Sequence, residues 1–254
     1  MKKHTGFSKV GLVACLIMLA LVGLTIFLVT EKDAKVSKFR EFTTKVAGPL
    51  EENGYIGDHI EGPTDAPVLI FEYSDFQCGY CALMSTQIKD IINAAEGNLA
   101  IVHRSFLLSY HQNGTAAASA AEAAGLQGYY EAYSDELFNR QDEWAYASAS
   151  ERTAMFLQYF KNVTDEKGDE IKFLDDLNSA NVSKKINFDI KLAQLVDVSA
   201  TPSFYIDGKL IDFGNKNGGE ITINDETFSW DSPLTSDEFK QLILNIVNAS
   251  LESK

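Results

Sequence analysis

Cys78 and Cys81, separated only by Gly79-Tyr80, are the residues of this chain whose type and spacing point most directly to chemistry. Two thiols so close can form a structural disulfide, supply part of a metal site, or exchange disulfides with another molecule. Zinc takes about four ligands. The histidines His4, His59, His103 and His111 are scattered, with no second Cys/His pair beside them, so no metal is expected. A purely structural disulfide across so short a loop adds little, because loop-closure entropy grows with loop length. Redox exchange is the favoured reading, with a reversible Cys78–Cys81 disulfide and no cofactor.

The flanking sequence supplies elements to position such a pair. Val68-Leu69-Ile70-Phe71 is an unbroken apolar run after Gly62-Pro63 and Ala66-Pro67, which suits a central strand covered on both faces. From Ala82 to Ala95, Leu83, Ile88, Ile91 and Ile92 recur at roughly helical spacing with no proline or glycine. Cys78 is therefore expected at a helix start, where unpaired N–H groups and the helix dipole favour a thiolate. That is the setting of a nucleophilic, low-pKa cysteine. Cys81, one turn further in, can attack a mixed disulfide formed on Cys78.

The 254-residue chain begins with Lys2, Lys3 and Lys9, then runs from Val10 to Val29 without a charge. As a helix, about twenty apolar residues span a hydrocarbon core of about 30 Å. Phe27 to Glu31 offers no small-x-small cleavage site. Leu12-Val13-Ala14-Cys15 resembles a lipoprotein cleavage box, but the apolar run continues well past Cys15. Cys15 is read as an ordinary residue of an uncleaved membrane anchor. The expected organisation is a cytoplasmic tail (1–9), a transmembrane anchor (10–29), a linker or spacer helix (30–54) and a globular domain (55–252). Lys32, Lys35, Lys38 and Arg40 follow the span closely, so the positive-inside count does not fix orientation. The short tail favours a domain on the extracytoplasmic side, with the bilayer itself a partner through the anchor. Beyond residue 30 the chain carries all 36 acidic residues against 19 of the 22 basic ones, a net −17. That charge argues against nucleic acid as a partner.

Along the domain, Tyr55 to Ile60 reads as a short edge strand, with His59 an exposed strand residue. Gly97-Asn98 stops the active helix, and Leu99 to Phe106 reads as a second strand, parallel to the first through a right-handed crossover. From about 112 to 197 only helical patterns appear, including an alanine-rich stretch from Thr115 to Leu126 and an aromatic stripe of Tyr130, Tyr133, Leu137 and Phe138 that reads as core. Pro202 precedes the strand-like Ser203-Phe204-Tyr205-Ile206, and Asp207-Gly208 predicts a hairpin into Lys209-Leu210-Ile211. Glu220 to Ile223 suggests a further short strand. Thr235 to Leu251 reads as a closing helix, with Thr235 and Glu238 forming a capping box.

These motifs together resemble the membrane-anchored or secreted DsbA-like thiol-disulfide oxidoreductases of bacteria. The resemblance rests on Gly62 to Val68 leading into Glu72-Tyr73-Ser74-Asp75-Phe76-Gln77-Cys78-Gly79-Tyr80-Cys81, on Ala116 to Tyr130 with Leu137-Phe138 and Trp144, and on Val198 to Phe204. It implies an α/β thioredoxin fold with an all-helical insertion, preceded here by one transmembrane helix. It implies catalysis by Cys78 and Cys81, a cis bond at Thr201-Pro202 facing them, and substrate contacts from Thr201, Pro202, Gly79 and Tyr80. A cis peptide is tolerated essentially only before proline, and such a loop exposes backbone to an extended chain. Glu72 falls where relatives keep a buried acid beneath the disulfide, implying a proton relay to Cys81. The implied partners are unfolded or cysteine-containing exported proteins and a membrane redox protein that recycles the pair.

The dipeptide departs from the strongly oxidising members, which usually carry a proline and often a histidine there. Gly79-Tyr80 with Thr201 before Pro202 looks like the disulfide isomerases, although no separate dimerisation domain is present. With no histidine donor near Cys78, a less stabilised thiolate and a less oxidising disulfide are expected. Disulfide formation comes first, with isomerase or reductase activity close behind. A non-catalytic binding module on the same fold is the rival from another class. A calcium site among the oxygens between Asp207 and Asp225 matches no standard loop spacing.

Overall fold

The computed structural model describes residues 9–213 and 217–252; the side chains at positions 9–15, 29, 31–36 and 38 lie outside the described residues. So do the expected tail at residues 1–8 and the Cys15 side chain. Helix α1, Lys9–Arg40, contains the uncharged run, and side chains 16–28 are exposed along it. Among the described residues no helix is long and apolar enough to cross a membrane.

The chain divides into a unit Met1–Glu41 and a unit Phe42–Lys254. Residues 42–54, the later part of the stretch expected as a linker, fall within the second unit. Ala47 and Asn53 are buried, and the Ala47 N–H donates to Asp58 at 2.8 Å. Positive φ at Gly54 and Tyr55 turns the chain, so the edge strand β1 begins only at His59 and covers His59–Glu61.

Strand β2, Val68–Ser74, leads into helix α2, Gly79–Ala94, and back through β3, Leu99–Ser105. β2 and β3 are parallel, with Val68 opposite Leu99 and Ser74 opposite Ser105, as a strand–helix–strand crossover requires. Six helices follow: α3 (Gly114–Gly125), α4 (Tyr130–Asn139), α5 (Gln141–Trp144), α6 (Ala149–Val163), α7 (Glu170–Asp176) and α8 (Ala180–Leu195). The chain then returns through β4 (Ser203–Ile206) and β5 (Lys209–Asp212), joined at Asp207-Gly208. The sheet order is β1-β3-β2-β4-β5. A separate hairpin pairs β6 (Gly219–Ile223) with β7 (Glu226–Trp230), and helix α9 (Ser236–Glu252) closes the chain. Strand β7 and the cis bond at Ser232-Pro233 were outside the sequence reading.

Two apolar cores flank this frame. One joins β2, β4, α2 and α9 through Ile70, Met84, Ile88, Phe204, Phe239 and Ile243. The other lies inside the helical insertion, around Tyr133, Leu137, Trp144, Phe156, Phe160 and Phe173. Its polar tips are satisfied, as buried aromatic hydroxyl and indole groups usually are: Tyr133 donates to the Phe156 carbonyl and Trp144 to that of Leu137, each at 2.9 Å.

The insertion also meets the sheet through a cluster of buried charges. Arg104 donates to Asp58 at 2.6 Å, and Lys185 reaches Asp189 at 2.6 Å and Asp58 at 3.4 Å, all four side chains fully buried. Asp189 also accepts from the Ser105 N–H at 3.1 Å. Burial raises Asp189 to about 6 against the pull of Lys185. At Asp58 burial also opposes the charge, but Lys185 and Arg104 outweigh it and hold the carboxyl below its ordinary range. His59 belongs beside this cluster and is not the exposed residue expected. Its ring stacks on Tyr130 at 3.4 Å and bonds to Glu122 at 2.8 Å.

Candidate active site

The parallel strand β2 ends at Ser74, and the turn from Asp75 to Cys78 swings the chain into α2. Within that turn the Cys78 N–H donates to the Asp75 carbonyl at 2.9 Å, which leaves Cys78 at the N-cap of the helix in an extended conformation. Both thiols are free and buried. On the other side of β2, β4 runs antiparallel, with Tyr73 opposite Ser203. The two residues before Ser203 therefore overhang the end of β2, beside the turn. They are Thr201 and Pro202, joined by a cis peptide, and the Cys78 thiol donates to the Thr201 carbonyl at 3.5 Å.

The two sulfurs titrate in opposite directions. A hydrogen bond from Cys81 is the largest influence on Cys78; burial opposes it. Further bonds from the Thr201 side chain and the backbone N–H groups of Cys81 and Tyr80 bring the thiol from an ordinary 9 down to about 6. The Thr201 hydroxyl is buried and otherwise without a partner, so it is free to turn its proton to a thiolate. At Cys81, burial comes first, followed by the bond to Cys78 and the charge on Cys78, and the thiol is pushed well above its ordinary value. No histidine is among the groups that lower the Cys78 thiol; a thiol, a hydroxyl and two amides do the stabilising. One group is primed to ionise and the other to stay protonated, the split that nucleophilic exchange needs.

Gly79 and Tyr80 lie on the first turn of α2. A Cβ at Gly79 would meet only the Gln141 side chain at 3.8 Å, so the position has room. The Tyr80 hydroxyl accepts from the Leu234 N–H at 2.7 Å and lies 3.4 Å from its carbonyl, fixing the dipeptide to the segment before α9. Glu72 is buried but its carboxylate is taken up by His103, at 2.7 Å, whose other nitrogen lies 3.2 Å from Glu61. Burial disfavours the charged imidazole, but the bonds to Glu61 and Glu72 prevail and hold His103 up at about 10. Glu72, Ser74 and His103 line one cavity of about 40 Å³, and the Ser74 hydroxyl lies beside the Cys81 thiol.

Three groups at this site escaped the sequence reading. Asp75, fully buried, accepts from the N–H groups of Gln77 and Leu108 and bonds His111 Nδ1, each at 2.9 Å. Tyr110 sits 73% exposed, and its partial burial, followed by the charges of Cys78, Asp75 and Cys81, raises its hydroxyl. Gln141 donates from the insertion to the Phe76 carbonyl at 2.6 Å. Only Asp75 carried a local signal, since an aspartate side chain can accept from the backbone amide two residues on, here that of Gln77.

A family model described as Thioredoxin matches residues 55–244. Among curated proteins, the chain is 28% identical over 207 residues to the Na(+)/H(+) antiporter NhaA 1 of Mycolicibacterium gilvum, covering 80% of this chain and 31% of that protein. It thus spans under a third of the length of that relative. Oxidised BdbD from Bacillus subtilis shares the fold with a TM-score of 0.56 at 18% identity, covering 81% of this chain and 98% of that one. Alpha-DsbA1 from Wolbachia pipientis does so with a TM-score of 0.55 at 23% identity, covering 77% and 94%.

Proposed function

The chain belongs to this thioredoxin family, and on that premise we propose that it acts as a DsbA-like thiol-disulfide oxidoreductase, forming disulfides in unfolded, cysteine-containing exported proteins. Residues 10–29 anchor it in the cell membrane and residues 55–252 work on the extracytoplasmic side. The exposed apolar face of α1 from Leu16 to Leu28 supports the anchor. The observation that carries the direction of electron flow is the Cys78 thiol, lowered to about 6 against the Thr201-Pro202 loop. A stabilised thiolate favours the reduced pair, so the disulfide tends to take electrons from its substrate.

In the forward reaction a substrate thiolate attacks Cys78 Sγ, the Cys78–Cys81 bond breaks, and Cys81 leaves and takes up a proton. The substrate chain lies along Thr201-Pro202, beside Gly79 and Tyr80. A second substrate thiolate then attacks the substrate sulfur of the mixed disulfide and releases Cys78 as its thiolate. Two electrons pass to the pair, and the substrate's thiol protons balance those gained by Cys81 and the solvent. Glu72 exchanges the Cys81 proton through the cavity it shares with Ser74. A membrane redox partner withdraws the two electrons again, and the acidic domain has no role for nucleic acid.

Equilibration of the full chain against glutathione buffers tests the direction. A potential near about −120 mV fits a disulfide donor, whereas about −270 mV overturns it in favour of a reductase. A value midway favours an isomerase, the reading supported by Gly79-Tyr80 and Thr201. Cys81→Ala should accumulate mixed disulfides with exported proteins on a non-reducing gel; their absence removes the exchange scheme altogether and leaves a binding module.

A further inference from the structure

The turn that carries Cys78 is gripped from outside the thioredoxin frame. Gln77, 8% exposed, donates through its side chain to the Ala145 carbonyl at 2.8 Å and accepts from the Asn113 N–H at 2.7 Å. Asn113, 4% exposed, stands at the N-cap of α3, yet its side chain makes no cap bond. Its amide nitrogen points instead at the carbonyls of Trp144, Ala145 and Ala147, at 3.0–3.1 Å, and its oxygen accepts from Arg152 on α6. Gln141, at the start of α5, closes the grip on the Phe76 carbonyl. An asparagine at an N-cap ordinarily stabilises its helix by about 1 kcal/mol. Here that local use is given up for a long-range one.

We propose that Gln77, Asn113 and Gln141 are positioning residues, a three-amide clamp through which the helical insertion holds the redox turn and sets how strongly the Cys78–Cys81 disulfide oxidises its substrates. The physical link is short. The sulfur of Cys78 is held in front of the Tyr80 and Cys81 amides by the backbone from Asp75 to Cys78. The clamp fixes that backbone at Phe76 and Gln77. Charge-assisted bonds to a thiolate weaken steeply as distance and angle drift. Releasing the turn therefore weakens the thiolate and leaves the already buried, protonated Cys81 little changed. The insertion becomes an adjustable setting for the redox pair as well as a cover for it.

The clamp rests on the redox reading of the pair and not on the direction proposed for it. Its test is a difference between variants in the equilibrium protein disulfide plus two glutathione thiols to protein dithiol plus glutathione disulfide, in which two electrons and two protons change hands. Gln77→Met and Gln141→Leu keep size and remove the amides. Gln127→Leu is the control. That amide makes an equivalent pair of bonds to the Asp169 backbone, entirely within the insertion, at 2.9 and 3.0 Å. In the full chain, the pH profile of Cys78 alkylation by iodoacetamide, read peptide by peptide by mass spectrometry, reports the thiolate. Gln77→Met and Gln141→Leu should move that midpoint up by about one pH unit and the glutathione equilibrium about tenfold towards the disulfide. Gln127→Leu should lower the melting temperature and move neither. Profiles like the unaltered chain's in both clamp variants, or an equal shift in the control, overturn the proposal. If Gln77→Met fails to fold, Gln141→Leu decides alone, since it removes a single bond at the rim. A strongly reducing potential in the unaltered chain ends the disulfide-donor reading while leaving the clamp to be judged on the same differences.

Discussion

The redox turn and the charge cluster behind the sheet are both buried, both ionisable and both tied to the helical insertion, yet they are built on opposite plans. Asp58, Arg104, Lys185 and Asp189 answer one another, and each charge has a partner within 3.4 Å. Cys78 and Cys81 are two like groups side by side, and their surroundings drive them apart, one down to about 6 and the other well up. Burial perturbs titration in both places. What separates chemistry from architecture is the asymmetry between neighbours of the same kind, the pattern that assigns one group to ionise and the other to hold its proton. Opposite charges in close pairs instead register one layer on another.

That contrast can be broken from either side. The largest effect should come from Cys78→Ala, which abolishes insulin reduction while the denaturant midpoint of the reduced protein, measured below pH 6 where the thiolate adds no stability, stays close to that of the unaltered chain. Residual turnover above background would move the chemistry elsewhere. Lys185→Met should do the reverse. It strands Asp189 in the interior, while Asp58 keeps Arg104, and costs about 3–5 kcal/mol in urea unfolding, with the Cys78 alkylation profile unmoved. A shifted profile would join the two regions into one system.

A smaller effect follows from pH. Cys78 titrates at about 6 in the fold and near 9 as an ordinary thiol. The reduced protein therefore gains stability as pH rises from about 6 to 9, and that gain is absent below 6. His103, held up at about 10, runs the other way: its contribution is full below 6.5 and is lost as pH climbs to 10. Both redox states share His103, so the difference between reduced and oxidised melting temperatures isolates the thiol; a flat difference from pH 6 to 9 would contradict the thiolate. The smallest change belongs to Thr235→Ala. Thr235 and Glu238 cap α9 reciprocally, at 2.8 and 3.3 Å. Losing the cap should cost about 1 kcal/mol with no shift in redox equilibrium.

The sequence carried those features that are local. The thiol spacing, the apolar run of β2, the Asp207-Gly208 hairpin, the helical periodicity of the insertion and the Thr235 cap are each written within a few neighbouring residues. The features it hid are held by partners far along the chain. His59 reads as a strand residue until Glu122 and Tyr130 are brought against it. Gln77 and Gln141 carry no local signal of their role, because only the fold sets them against Ala145 and Phe76. Residues 42–54 look like a spacer because their packing comes from elsewhere: Asp58 receives the Ala47 N–H. Glu72 was legible as a buried acid, but its engagement with His103 depended on the β2–β3 register, which places the two directly opposite.

The hydroxyl of Tyr80 on the Leu234 backbone carries a consequence for the timing of manufacture. Chains are made from the N-terminus, and early segments wait for late ones. Cys78 and Cys81 leave the synthetic machinery long before Thr201, and longer still before Leu234. Until those arrive, the cysteines are an unremarkable dithiol on an unfinished chain, with no loop opposite and nothing to fasten the dipeptide between them. The redox surface is assembled by the last segments to emerge, so a nascent or truncated copy that ends before residue 234 carries the cysteines without the finished setting that tunes them.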